Sequence, residues 1–315
     1  MWQKPWKYSE AAAVGLGLTA VGVILQLVSG KIEWDVLAFP VNLILVAVLL
    51  AALLLMHSLR HRVHLFSWLG GIPCAVVSIC FAAGLTMIMG LVRQAVPYAE
   101  IPGVLGRSGL RQMLSAWYFV LPYTWMTVSL GMATLRVAAS AWTSRTLPFI
   151  LNHLGLFLVL VCGVAGSADM KRLSMIAYEG SPEWRAIDKT KPSGGVIELP
   201  IAIELNDFIM EVYPQTQSPK RFASDVTIYV KDSEETSHTV SGTIEVNHPF
   251  SVKGWKIYQT GYDERLGNES PYSIFELVRD PWLPAVYIGL VMMLAGAVSL
   301  FLTAPGRIRK KEESL

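Results

Sequence analysis

Charge and cysteine are both scarce in this sequence, and each scarcity closes off a class of function. Charged residues make up 16% of the chain and nearly cancel, to a formal +2. Neither a nucleic acid nor an acidic macromolecule is therefore indicated as a partner. The three cysteines, Cys74, Cys80 and Cys162, all lie in apolar runs. The long polar segment thus has no disulfide, even if it is extracytoplasmic. No CxxC is present, which argues against a thioredoxin-like role, and no CxxCH, so the chain carries no covalent c-type haem of its own. GxSxG, a Gly-rich phosphate loop, Ser/His/Asp spacing and paired carboxylates are missing as well. Catalysis by this chain alone has little sequence basis.

What is present is apolar. Hydrophobic residues make up 53% of the 315 and mean hydropathy is +0.44, which long uncharged runs account for, so the chain reads as an integral membrane protein. The polar, Trp-rich start MWQKPWKYSE does not have the usual form of a cleavable signal peptide. Six spans are predicted, over about 11–29, 37–57, 65–91, 113–135, 147–166 and 283–303, each near the ~20 residues a bilayer needs. The third contains a candidate break at Gly70-Gly71-Ile72-Pro73. Lys4, Lys7, Arg60, Arg62, Arg136, Arg145 and the tail residues Arg307, Arg309, Lys310 and Lys311 bias one side as cytoplasmic, against Lys31, Arg93, Arg107 and Arg111 on the other. Both termini are then inside. Trp2, Trp6, Trp34, Trp142 and Trp282 fall near span ends, where interfacial tryptophans sit.

That topology puts residues 167–282 outside the cytoplasm, the only segment long enough to fold as a soluble domain. Its texture is β. VIELPIAIELNDFIMEVY, DVTIYVKD, HTVSGTIEVNHPF, WKIYQTGY and YSIFELVRD are rich in Val, Ile, Tyr and Phe. TKPSGG, YPQTQSPK, KDSEETS and DERLGNES separate them as turns. In DVTIYVKD, Val226, Ile228 and Val230 alternate with Thr227, Tyr229 and Lys231, the period of a half-buried strand. The expected fold is a six-helix transmembrane bundle with an extracytoplasmic antiparallel β domain, a small sandwich or open barrel, between helices five and six.

The candidate of most interest is His153, in LPFILNHLGLFLVLVCGVAG at 147–166. It lies about seven residues, roughly 10 Å, inside a helix that enters from the cytoplasm. Ionisable residues within spans face the bundle interior and are often functional. A neutral imidazole in an apolar site suits an axial haem ligand; the alternative is a histidine hydrogen-bonded across a helix interface. Asn152 and Gly155 flank it, and Gly155 would let a flat ligand or another helix approach the backbone. In MHSLRHRVHLF, His57, His61 and His64 would share a face on one continuous helix. The blander reading is a His-enriched cytoplasmic loop. Arg60 and Arg62 there could meet an anionic ligand, such as haem propionates. His238 and His248 belong to no metal-ligand cluster. Met87 and Met89 read as helix packing, and Glu245, Asp263, Glu264 and Asp280 as solvated or turn carboxylates.

The order of features resembles a known family. RSGLRQMLSAWYFVLPYTWMTVSLGMATLR precedes the His-Leu-Gly span. The β segment then carries SPKRFASDVTIYV, IEVNHPFSVKGWKIYQTGYD and FELVRDPWLPAVYIGL, and a last span follows. Over about residues 107–305 this is similar to the ResB-type (CcsB) subunit of system II cytochrome c biogenesis. Three N-terminal helices (1–106), read from the apolar runs, precede the region it covers, and the resemblance implies ResB-like helices four and five (107–166), the extracytoplasmic β domain (167–282), and a final helix with a basic cytoplasmic tail (283–315). It implies work with a CcsA-type partner in a bacterial inner membrane, taking haem from the cytoplasmic side for attachment to apocytochrome c. The family's intramembrane histidine corresponds to His153, holding haem b non-covalently in transit, with the second axial ligand coming from the partner. On this view the chain is at most one subunit of a holocytochrome c synthase. The β domain binds apocytochrome or braces the partner, with Tyr258 and Gln259 near its functional edge. Two other classes compete: a scaffold that never contacts haem, and a b-type electron-transfer subunit, in which His57 would have to serve as second ligand from a helix end.

Overall fold

The computed structural model describes residues 2–95, 99, 101–189, 194–216, 219–233 and 236–303. The basic tail with Arg307, Arg309, Lys310 and Lys311 lies outside them, as do parts of the expected turns TKPSGG, YPQTQSPK and KDSEETS. The chain divides into two compact units, Met1–Asp169 with Trp282–Leu315, and Met170–Pro281.

The first unit is helical: α1 (Tyr8–Ser29), α2 (Val41–Ser58), α3 (His64–Leu69), α4 (Ile72–Leu91), α5 (Gly103–Ser108), α6 (Trp117–Ala138), α7 (Thr146–Asp169) and α8 (Leu283–Thr303). Five of these, α1, α2, α4, α7 and α8, are long and apolar enough to cross a membrane, so the unit is a membrane-protein bundle. The expected third span is two helices. The chain breaks at Gly70, and α4 restarts at Ile72 with a proline in its first turn, where the missing N–H costs nothing. α6 has a bilayer's length at 22 residues but includes Pro122 and is more polar than the five. Its surroundings explain this, because it packs against α1, α2, α4 and α7. Leu53 of α2 and Phe157 of α7 both close on Gly131 of α6, where an added Cβ would lie 2.8 Å from Leu53 and 3.1 Å from Phe157. Ser129 donates to the Leu69 carbonyl at 2.8 Å.

The second unit is one eight-stranded sheet in the order β5-β4-β3-β2-β1-β8-β7-β6, with every neighbouring pair antiparallel. Its strands are β1 (Lys171–Tyr178), β2 (Glu183–Asp188), β3 (Val196–Val212), β4 (Pro219–Lys231), β5 (Ser237–Glu245), β6 (Phe250–Val252), β7 (Trp255–Tyr262) and β8 (Tyr272–Arg279). Alternation is as expected in β4, where Val226, Ile228 and Val230 are buried. The same alternation buries Leu173, Met175 and Ala177 of β1, a strand the sequence reading passed over. One core gathers these with Ile203, Leu205, Ile244, Ile257 and Leu277; each Ile or Leu so buried contributes about 1.5–3 kcal/mol. The sheet is curled. Ser224 of β4 reaches Gln259 of β7 and Ser273 of β8, both at 2.7 Å, although those strands are far apart in the sheet order.

Candidate functional site

His153 stands two turns into α7, and its geometry fixes its tautomer. Nδ1 is 2.9 Å from the carbonyl of Phe149, one turn earlier. A carbonyl only accepts, so Nδ1 carries the proton and Nε2 is the bare nitrogen. The ring stacks on Phe149 with centroids 3.6 Å apart and planes 15° off parallel. A ligating histidine is oriented in the same way, one nitrogen donating to a carbonyl while the other faces the metal. The side chain is half-buried.

The flanking residues serve the helix pair. Gly155 meets α8 directly: a Cβ there would lie 2.6 Å from the Gly289 carbonyl oxygen and 2.9 Å from Met293 Cγ. Of the two uses Gly155 allows, the structure displays close approach of another helix. Asn152 donates to the Pro148 carbonyl at 2.9 Å and packs against Gly296. His153 follows Asn152 by about 100° around the helix and so lies off this crossing face.

The MHSLRHRVHLF histidines are not brought together. α2 ends at Ser58 and a turn intervenes before α3 begins at His64, so the i, i+4, i+7 face does not form. Each ring goes elsewhere. His57 Nε2 bonds the Arg60 guanidinium. His64 Nε2 lies 3.4 Å from the Trp6 amide, which donates to it, and its ring packs edge-on to Trp6. His61 lines a cleft of about 110 Å³ with Arg60, Phe66, Ser67, Gly70, Met132 and Arg136. Arg62 is not among its lining. Arg136 takes that place, a residue the sequence offered only as a marker of orientation. Among the described residues no three His, Cys, Asp or Glu side chains form a metal set.

Sequence reasoning also missed Asp169. Its carboxylate accepts from the Phe39 amide, Asn42 Nδ2 and Trp282 Nε1, each at 2.7 Å, and Asn42 also donates to the Ala165 carbonyl at 3.2 Å. One acid thereby ties α2, α7 and the start of α8.

In the β unit, Gln259 is corrected. It was expected at a functional edge but is 2% exposed. Its Oε1 accepts from Ser224 and its Nε2 donates to the Gly261 carbonyl at 2.8 Å, because β7 turns residues 255, 257 and 259 inward. Tyr258 is on the other face, half-buried and opposite Glu276. Across β3, β4 and β5, Arg221 bonds Glu211 at 3.0 Å and also Glu245. The guanidinium holds both carboxyls below the usual glutamate range and is itself raised.

A helical membrane unit joined to an antiparallel β unit defines the class. Residues 136–271, which include His153, match the ResB-like family model, so the resemblance read from the sequence holds over that segment. NrfI of Wolinella succinogenes is 30% identical over 38% of this chain and 13% of its own length. The cytochrome c biogenesis protein CcsB of a Synechococcus strain is 30% identical over 40% of this chain and 26% of its own. The cytochrome c biogenesis protein Ccs1 of Porphyra purpurea is 32% identical over 36% and 25%. The chain thus matches only about a quarter or less of the length of these relatives.

Proposed function

We propose that this chain is a cytochrome c biogenesis subunit that holds haem b non-covalently through His153, in transit to apocytochrome c. The observation that carries the reading is a ResB-like segment containing an intramembrane histidine with Nδ1 bonded to a carbonyl and Nε2 bare. Haem is the cargo, and the chain's own part is to present one imidazole in an apolar setting. A CcsA-type partner supplies the second ligand and the remainder of a shared site. Asn152 and Gly155 set the helix that carries His153, Arg60 faces the propionates, and Tyr258 meets the partner or the apocytochrome. The chain acts in a bacterial inner membrane with six spans, α6 being the sixth. Both termini are cytoplasmic and residues 167–282 lie outside. Reporter fusions at residues 140 and 265 check the topology; activity on one and the same side would overturn it.

Co-purification with the partner, followed by a pyridine haemochrome spectrum of wild type and His153→Ala, tests the function. Haem should fall at least about tenfold, since losing even a group that only orients a metal ligand costs that much. Unchanged haem in the variant would refute the assignment. A complex that forms without haem in either sample would point to a scaffold.

One observation favours a b-type electron-transfer reading instead. α2 and α7 run antiparallel, with Asn42 beside Ala165 and Leu53 and Phe157 meeting at Gly131. His57 and His153 each stand one turn beyond that meeting point, toward the same end. This reading predicts stoichiometric b-haem on the isolated chain, lost in His57→Ala.

A further inference from the structure

Neither Arg60 nor Arg136 forms an ion pair among the described residues. Two described acids of the helical unit are committed to other partners. Glu10 bonds the backbone of Trp2 and Lys7 and the Ser9 hydroxyl, and Asp169 is held by Phe39, Asn42 and Trp282. The cleft between the α2–α3 turn and the end of α6 therefore gathers Arg60, Arg136, His61 and Ser67 with no carboxylate in its lining. Its remaining walls, Phe66, Gly70 and Met132, are apolar. Arg60 is held in place by the ring and the carbonyl of His57, the latter at 3.5 Å. A guanidinium offers five N–H donors, so several stay free for another acceptor. The Arg136 guanidinium and the Ser67 hydroxyl have no hydrogen-bond partner among the described residues, although the Ser67 amide donates to the Val63 carbonyl.

Size narrows the ligand. The cleft holds about 110 Å³, whereas sites that enclose a whole small molecule run to roughly 300–1,000 Å³. It takes one compact group, not a tetrapyrrole or a complete lipid. Paired guanidinium groups select phosphate or carboxylate, and the apolar walls beside bilayer-length helices select a molecule whose bulk stays in the membrane. We propose that the Arg60–Arg136 cleft binds the phosphate or carboxylate of a membrane-dissolved amphiphile, its apolar body lying outside the cleft along the helices. Two sources share that chemistry, an anionic lipid headgroup and a haem propionate. The lipid case is independent of the haem reading above; the propionate case rests on it.

The test uses the purified full chain in detergent, as wild type and as Arg60→Gln, Arg136→Gln, Arg62→Gln and Arg145→Gln. The last two are neighbouring cations outside the lining. Matching circular dichroism and monodisperse elution show that each variant is folded, and Arg136→Lys, which keeps the charge, should retain part of the binding. In the lipid arm, native mass spectrometry counts phosphatidylglycerol adducts against phosphatidylcholine. Loss of one charge-assisted contact should lower the phosphatidylglycerol preference about tenfold in the Arg60 and Arg136 variants alone. In the haem arm, haem is titrated against its dimethyl ester, which lacks free propionates; a wild-type preference for haem that disappears in those two variants identifies the propionate source. His153→Ala, run alongside, removes haem in both forms if the haem reading holds, so the two failures are separable. Equal binding in all proteins in both arms, or equal loss in the Arg62 and Arg145 variants, overturns the proposal.

Discussion

At the residue scale, inward and outward positions decide which polar groups matter. Gln259 occupies an inward position of β7 and satisfies Ser224 and the Gly261 carbonyl. Gln259→Ala should cost about 1–3 kcal/mol, because it leaves Ser224 with Ser273 as its remaining partner and takes the donor from the Gly261 carbonyl; Tyr258→Ala should cost less. Urea unfolding followed through the β unit's amide hydrogen exchange separates the two. Glu211 and Glu245 carry a pH signature. Arg221 depresses both carboxyls below their ordinary 4.5, so their contribution is complete above that value and is lost as pH falls through the lower folded values. Exchange protection on β4 and β5 should drop below about pH 4.5 and be unchanged from neutrality to pH 8; all three side chains are partly exposed, so the effect is small. Protection lost on alkalinisation would contradict it. The strand alternation that buries Val226, Ile228 and Val230 was readable from the sequence. Gln259 was not, because a polar residue in such a pattern counts as outward until its hydrogen-bond partners, 35 residues off for Ser224, are known.

At the element scale, glycine decides how closely α7 and α8 cross. An added methyl at Gly155 would meet a backbone oxygen, which cannot swing away. Gly155→Ala should therefore push the helices apart and lower the melting temperature by several degrees, while Gly163→Ala, with nothing near its Cβ position, should leave it unchanged or raise it slightly. A cross-link between cysteines placed at 159 and 289 would report the separation directly. Apolar runs located these helices well, since bilayer length and composition are local properties. α6 was harder to judge on hydropathy, because neighbours on several sides allow it to be more polar. The His57, His61 and His64 spacing left two readings open for a related reason, and the structure follows the blander loop reading. The spacing describes a face only if the helix continues, and here it stops at Ser58.

At the scale of the whole molecule, long-range contacts carry what composition cannot. Asp169 closes onto Asn42 and Trp282 across 127 and 113 residues, and nothing local in the sequence marks it as more than a helix end. Asp169→Ala should leave the Phe39 amide, Asn42 and Trp282 without their acceptor and destabilise the helical unit by about 1.5–3 kcal/mol or more, since hydrogen bonds to a charged group are the stronger kind. A thermal melt of the full chain monitored by tryptophan fluorescence would read this, and an unchanged melt would mean that water replaces the carboxylate.

The Asp169–Trp282 bond also has a bearing on how such a protein could be assembled and dissected. It holds the two chain ends that flank the β unit side by side, and inside that unit Lys171 pairs with Arg279 across β1 and β8. The 112 residues from Met170 to Pro281 thus leave and rejoin the helical unit at one point, as a cassette spliced into a single helical hairpin. Cassettes with adjoining ends can be removed or exchanged with little loss to their host. A short Gly/Ser linker from 169 to 282 should leave a helical unit that still folds and inserts, with α7 and α8 packed as before.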